Sequence, residues 1–229
     1  QDKNIISSMS SEYYLESLEM HKKRLFFDEV IEETISFNKN LKWDNSCKNL
    51  SLVKNAEELI EVYKLRSQVY TEINYQKEFT DIIEGFNFDK FDKTSAIIFY
   101  RQNKEITGSC RLIFDSKSGL PSEDKFSFNK QRESFNKIGE ISRNIIKNRN
   151  KGLNLEFKYL MRGIYYITTL NSVDLTLFGI KKEDLKLFVK LGGIEIIEEL
   201  DSYGEVKKPF LIVSRESEKT SNFFKKLFL

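Results

Sequence analysis

The run Gly139-Glu140-Ile141-Ser142-Arg143-Asn144-Ile145-Ile146 places a Glu and an Arg three residues apart among isoleucines of high β-propensity. On a strand, side chains alternate faces, so Glu140 and Ser142 share one side while Ile141 and Arg143 take the other, unless a bulge re-aims one of them. A carboxylate in such a strand must find a partner or meet a substrate, because an unpaired buried charge is very costly. The chemistry it offers is proton transfer. The chain has one histidine, His21, in a helical stretch far from that strand, so Ser-His-Asp and Cys-His catalysis are not expected. No Cys/His spacing suits zinc. Acid–base work therefore falls to carboxylates, Tyr, Lys or water.

The elements that must position these residues follow from composition and pattern. At 229 residues, 40% hydrophobic and 31% charged, the chain suits one globular α/β domain with an appendage: a helical extension over 1–49 and a domain over 50–229. It opens at Gln1 rather than Met, as expected if a few residues have been removed. No run approaches the ~20 apolar residues of a membrane span, and no charged-then-apolar signal opens the chain, so a cytoplasmic location is expected. Cys47 and Cys110 fit reduced cytosolic thiols. A net charge of +2 gives no reason to expect nucleic acid as a partner. Charge is uneven along the chain, however. Arg143, Lys147, Arg149, Lys151, Lys158 and Arg162 stand against Glu156 alone, whereas six acids between Glu72 and Asp92 stand against Lys77 and Lys90.

Apolar spacing predicts a long amphipathic helix from about Ser10 to Asn38, with Leu15, Leu18, Leu25, Val30, Ile31 and Ile35 as its stripe. A short strand at Leu50–Val53 follows. Asn55 and Glu58 then open a second helix with a capping-box pattern. Between Thr71 and Thr94 periodicity vanishes, which predicts a long functional loop. A hairpin of 96–101 and 106–114 turns through Gln102–Glu105, and the 137–147 strand carries Glu140. Helices are expected over 153–171, 181–191 and 217–228, and strands over 173–177, 194–199 and 209–214. The order implies a mixed sheet covered by helices.

Four motifs recur at spacings that resemble one family. They are Leu65-Arg66-Ser67-Gln68-Val69-Tyr70, Asp89-Lys90-Phe91-Asp92, Gly108-Ser109-Cys110-Arg111-Leu112 with Gly119-Leu120-Pro121 downstream, and Glu140 with Arg143. In this order they resemble the acyl-homoserine-lactone (autoinducer) synthases and their relatives, the N-acyl amino acid synthases. Tyr75 stands where the lactone synthases usually carry Trp, and Asn87 stands where they carry an acid. The run from Tyr63 to Glu72 looks more like the amino acid synthases.

The resemblance implies a GNAT-like acyltransferase fold and transfer of a fatty acyl group from acyl carrier protein to the α-amine of an amino acid, yielding a signal molecule of the kind used in quorum sensing. No bound cofactor or metal is implied. The amine must be neutral to attack a thioester, so Glu140 is expected to act as base, with Ser142 and Arg143 beside it. Arg66, Tyr70, Tyr75, Asp89, Asp92 and Arg111 are expected to shape the acceptor site, the ions closing the acidic loop over it. The competing reading is that the same ions form a structural salt-bridge cluster.

For the donor, Arg149-Asn150-Lys151-Gly152-Leu153-Asn154 only partly resembles the loop with which coenzyme-A acetyltransferases hold pyrophosphate. Lys147, Arg149, Lys151 and Gly152 therefore suit the single phosphate and acidic surface of an acyl carrier protein, unless they are a solvated helix face. Phe99, Phe114, Phe126, Phe128, Phe157, Tyr165 and Phe178 would line an acyl tunnel or simply fill the core. The basic tail Asn222–Leu229 is expected to pack on the domain, with weak membrane contact as the alternative. Other readings are a lactone synthase using S-adenosylmethionine, a coenzyme-A acetyltransferase, and a non-catalytic module binding carrier protein or lipid.

Overall fold

Helical spacing puts Leu59, Val62, Tyr63, Arg66 and Tyr70 on one stripe of helix α2 (Ala56–Glu72), and all five are buried. Asn55 caps its start, accepting the Glu58 N–H at 2.9 Å, while Glu58 accepts the Lys54 N–H at 2.9 Å. An arginine in the middle of a buried stripe needs a carboxylate, and the loop that follows supplies one. The computed structural model describes residues 2–147 and 155–229, with side chains from residue 10 onward.

Strands β1 (Leu50–Leu52), β2 (Ser95–Gln102), β3 (Glu105–Phe114), β4 (Ile138–Ile146), β5 (Leu175–Lys181), β6 (Ile194–Leu200) and β7 (Phe210–Glu216) form one sheet in the order β1-β2-β3-β4-β5-β7-β6. All neighbours are antiparallel except β4 and β5, which are parallel. The connection between those two contains helix α4 (Leu155–Leu170), as a parallel pair requires. Helices α1 (Asp2–Lys39) and α2 cover one face, where Val30, Leu59 and Val62 meet Ile97 and Phe99. Helices α4 and α6 (Asn222–Phe228) cover the other, where Leu160, Ile164, Phe224 and Phe228 meet Ile98 and Leu112. This is the mixed, helix-flanked sheet that the pattern implied.

Several elements differ from expectation. Helix α1 begins at Asp2, and residues 10–25 are exposed, so Leu15, Leu18 and Leu25 bury nothing on this chain. Only its later turns reach the domain: Val30, Thr34 and Asn38 are buried, and the Asn38 amide bonds Ser95 O and Ile97 N, both at 2.9 Å. The hairpin turn is tighter than predicted, because Asn103 and Lys104 adopt φ of 50° and 68° and both strands run on to meet them. The 115–137 stretch contains a short 3-10 turn at Pro121–Asp124 and a helix, α3 (Asn129–Ser134). The 181–191 stretch is a 3-10 turn followed by α5 (Leu185–Val189). In the tail, Ser221 caps α6, which turns Phe224 and Phe228 into the core. No helix among the described residues is long and apolar enough to cross a membrane.

Two irregularities in β4 prepare the site. Pairing with β5 covers only Ile138–Glu140, after which the strands part, and β5 continues against β7 as far as Lys181. On its other edge β4 bulges against β3: the register passes from Ser109↔Ile145 to Arg111↔Ser142, which leaves Arg143 and Asn144 opposite Cys110 alone. Arg143 takes φ of 53° there, the left-handed region.

Candidate active site

The bulge changes which residues share a face. Strict alternation would send Arg143 away from Ser142. Instead Ser142 Oγ accepts from Arg111 Nε at 2.9 Å, and Arg143 Nη2 reaches Asp89 Oδ2 at 3.2 Å, beside Arg111 on the same aspartate. Glu140, Ser142 and Arg143 all border one cavity of about 250 Å³, which enters the gap between β4 and β5.

Behind the cavity wall lies an ion network. Arg66 and Asp92 pair through two bonds of 3.1 and 3.0 Å, and both side chains are fully buried. Arg111 binds Asp89 at 2.6 and 3.1 Å and Asp92 at 3.2 Å. Burial alone would raise the Asp89 carboxyl, but Arg111 and Arg143 outweigh it and hold Asp89 well below the usual carboxylate range. Arg66, Asp92 and Arg111 do not border the cavity, and neither does Asp89. Of the residues expected to shape an acceptor site, Tyr70 and Tyr75 line it directly, with their rings stacked at 6.4 Å.

Glu140 is 3% exposed. Its Oε1 accepts the Ser122 backbone N–H at 3.1 Å. Burial pushes its carboxyl up to about 7, against the opposing pull of the Ser122 hydrogen bonds and of Arg111 and Arg143. Such a group holds and releases a proton near neutral pH. Arg143 lies 4.5 Å from the centre of the Phe79 ring, and its Nε has no hydrogen-bond partner among the described residues.

Sequence reasoning did not find Phe79, Ser122, Tyr203 or Arg215, all of which border the cavity. Tyr203 comes from the β6–β7 loop and meets Ser122 Oγ at 2.8 Å; burial raises its hydroxyl above the ordinary range. That loop is tied down by Glu78, which accepts the Glu205 N–H at 2.9 Å and pairs with Lys125 at 2.9 Å. Asn87 sits behind this wall, buried, with its amide bonding Phe79 O at 2.9 Å and Asp81 at 3.1 Å. The one available signal was Arg215, a charge ending the apolar run Phe210–Val213.

Of the seven aromatics considered for a tunnel, Phe157 and Phe178 border the cavity. Phe99, Phe114 and Phe128 are buried in the core, Phe126 packs edge-on against Phe128, and Tyr165 packs against Phe224. The expected cation cluster is divided. Arg143 belongs to the site, Lys147 pairs with Glu105, and Arg162 binds the Phe228 carbonyl at 2.7 Å. Arg149, Lys151 and Gly152 lie outside the described residues. Among the described residues no group of three or more His, Cys, Asp or Glu is placed to hold a metal ion.

Comparison with known proteins identifies the family and the fold. A family described as N-acyl amino acid synthase FeeM matches residues 61–216. Among solved structures, FeeM, an N-acyl amino acid synthase from uncultured soil microbes, superposes with a TM-score of 0.60 at 16% identity, over 79% of this chain and 94% of that one. The AHL synthase LasI gives 0.56 at 17% identity, over 79% and 96%. BjaI, a CoA-dependent acyl-homoserine lactone synthase, gives 0.56 at 13%, over 75% and 81%. At these identities the structures establish a shared GNAT-like fold. No curated protein matches the sequence. The family match spans well over half of the chain, and the chain therefore belongs to the FeeM family of N-acyl amino acid synthases, acyltransferase enzymes.

Proposed function

We propose that the chain moves a fatty acyl group from the phosphopantetheine thioester of an acyl carrier protein to the α-amine of an amino acid, with Glu140 as the base. The observation that carries this reading is the Glu140 carboxyl: buried, raised to about 7, and bordering an otherwise largely apolar cavity. In the reaction the acceptor's ammonium group gives one proton to solvent on binding, and as the neutral nitrogen attacks the thioester carbonyl it gives a second to Glu140, directly or through one water. The tetrahedral intermediate collapses with cleavage of the carbon–sulfur bond, and the proton passes on to the departing thiolate. From Ile141 onward, β4 has no strand partner on the β5 side among the described residues, so the backbone N–H groups on that side are available to the oxyanion.

Arg143 is assigned the acceptor's carboxylate. It holds Asp89 through Nη2, leaves Nε without a hydrogen-bond partner among the described residues, and borders the cavity beside Tyr70, Tyr75 and Phe79. S-adenosylmethionine carries the same α-carboxylate, so the choice of an amino acid rests instead on Tyr75 and Asn87, which stand where the lactone synthases usually carry Trp and an acid. Arg66, Asp92, Asp89 and Arg111 act from behind, fixing the loop and the bulge that present Arg143. Ser142 fixes Arg111. The carrier protein is assigned to the stretch from Lys147 through Arg149 and Lys151 to Gly152.

Incubating the purified chain with lauroyl-acyl carrier protein and the twenty amino acids, followed by mass spectrometry, tests the reading. N-lauroyl amino acid and free carrier thiol are expected. Methylthioadenosine and acyl lactone formed only with S-adenosylmethionine would overturn the acceptor, and an intact thioester with every amine would overturn the reaction.

A further inference from the structure

Arg215 is a buried cation that the chemistry above leaves unused. It lies on β7, is 5% exposed, and borders the same cavity as Glu140. Its Nη2 donates to Thr220 Oγ1 at 2.7 Å and its guanidinium lies 4.8 Å from the centre of the Phe224 ring, while Nε has no hydrogen-bond partner among the described residues. Among the described residues no carboxylate forms an ion pair with it, and the stretch 148–154 contains no Asp or Glu. Burial lowers it to about 10, so it is still charged at neutral pH. An unpaired charge among apolar groups is expensive, and here those groups include Met161, Ile164, Phe188 and Leu191 of the same cavity.

The sheet register fixes where this charge sits. Arg215 pairs with Thr176, and Thr176 with Gly139, whereas Glu140 pairs with Leu177, and Leu177 with Ser214. Arg215 and Glu140 thus occupy adjacent rows and opposite faces. They are also two strands apart, about 10 Å at the usual strand spacing. An α-carboxylate is two bonds from the attacking nitrogen, so it cannot reach Arg215 while the amine is at Glu140. The far end of an acyl chain can.

We propose that this enzyme prefers an acyl group that carries a carboxylate at its far end, which pairs with Arg215. This rests on the acyltransferase reading, with the reacting carbonyl held at Glu140 and the chain passing between β4 and β5 to the α4–α6 side.

The test compares binding of two neutral-headed probes, monomethyl decanedioate and methyl decanoate, by calorimetry. The carboxylate ester should bind the wild-type chain at least about tenfold more tightly, the range of a hydrogen-bonded ion pair. Arg215→Gln should abolish the preference, Arg215→Lys should retain part of it, and Arg143→Gln should leave it intact. Equal binding of the two esters to the wild-type chain, or a preference that survives Arg215→Gln, overturns the proposal. If Arg215→Gln does not fold, the wild-type comparison and Arg215→Lys decide. Because no turnover is read, a chain that distinguishes the esters but acylates nothing would sink the transferase reading alone.

Discussion

The backbone N–H of Ser122 donates to Glu140 Oε1 at 3.1 Å, tying the loop before α3 to the strand that carries the proposed base. One oxygen of the carboxyl is thereby anchored without an ion pair. Asp89, by contrast, is held far down by two arginines. Two acids close in space are given opposite tasks by their surroundings, one kept ionised and one kept near neutrality.

Arg143 is one of the charges that lower the Glu140 carboxyl. Arg143→Gln should therefore move the rising limb of the pH–rate profile to higher pH. Loss of a charge-assisted bond to the acceptor should also raise KM for the amino acid roughly 10- to 100-fold. Steady-state kinetics across pH checks both effects.

Stability should respond to pH through Glu140 in a defined direction. Its folded pKa lies above the ordinary 4.5, so its favourable contribution is complete below about 4.5 and is lost as pH rises through about 7. Glu140→Gln should melt like wild type near pH 4. Above pH 8 it should be more stable, by on the order of 3 kcal/mol. Thermal melts of both proteins at the two pH values measure this.

Asp92 accepts from Arg66, Arg111 and the Asp89 N–H at once. Asp92→Ala would strand the buried Arg66 guanidinium and leave Arg111 with Asp89 alone, and a loss of about 3–5 kcal/mol in urea unfolding is expected. Glu105→Ala, which removes an exposed carboxylate and frees only the half-buried Lys147, should cost less than about 1 kcal/mol.

Much of this site could be read from the chain. Arg66 falls on the buried stripe of α2 and Glu140 inside an isoleucine-rich strand, so each had to meet an opposite charge or a cavity. The order of helices and strands followed from apolar periodicity for the same reason. What alternation could not give was the direction of Arg143, because a one-residue bulge reverses it. Ser122 and Tyr203 were invisible because they act from irregular loops, where backbone donors and crossings between distant segments leave no periodic trace. The first half of α1 was legible as a helix but not in what its apolar stripe meets: residues 10–25 are exposed on this chain.

The most direct test of Glu140 as base is kcat/KM against pH for wild type and Glu140→Gln with the same thioester and amino acid. Wild type should show activity rising through about pH 7, and the variant should lose both that limb and roughly 100- to 10,000-fold of the rate. A folded Glu140→Gln enzyme with wild-type rate and an unchanged profile would contradict the account.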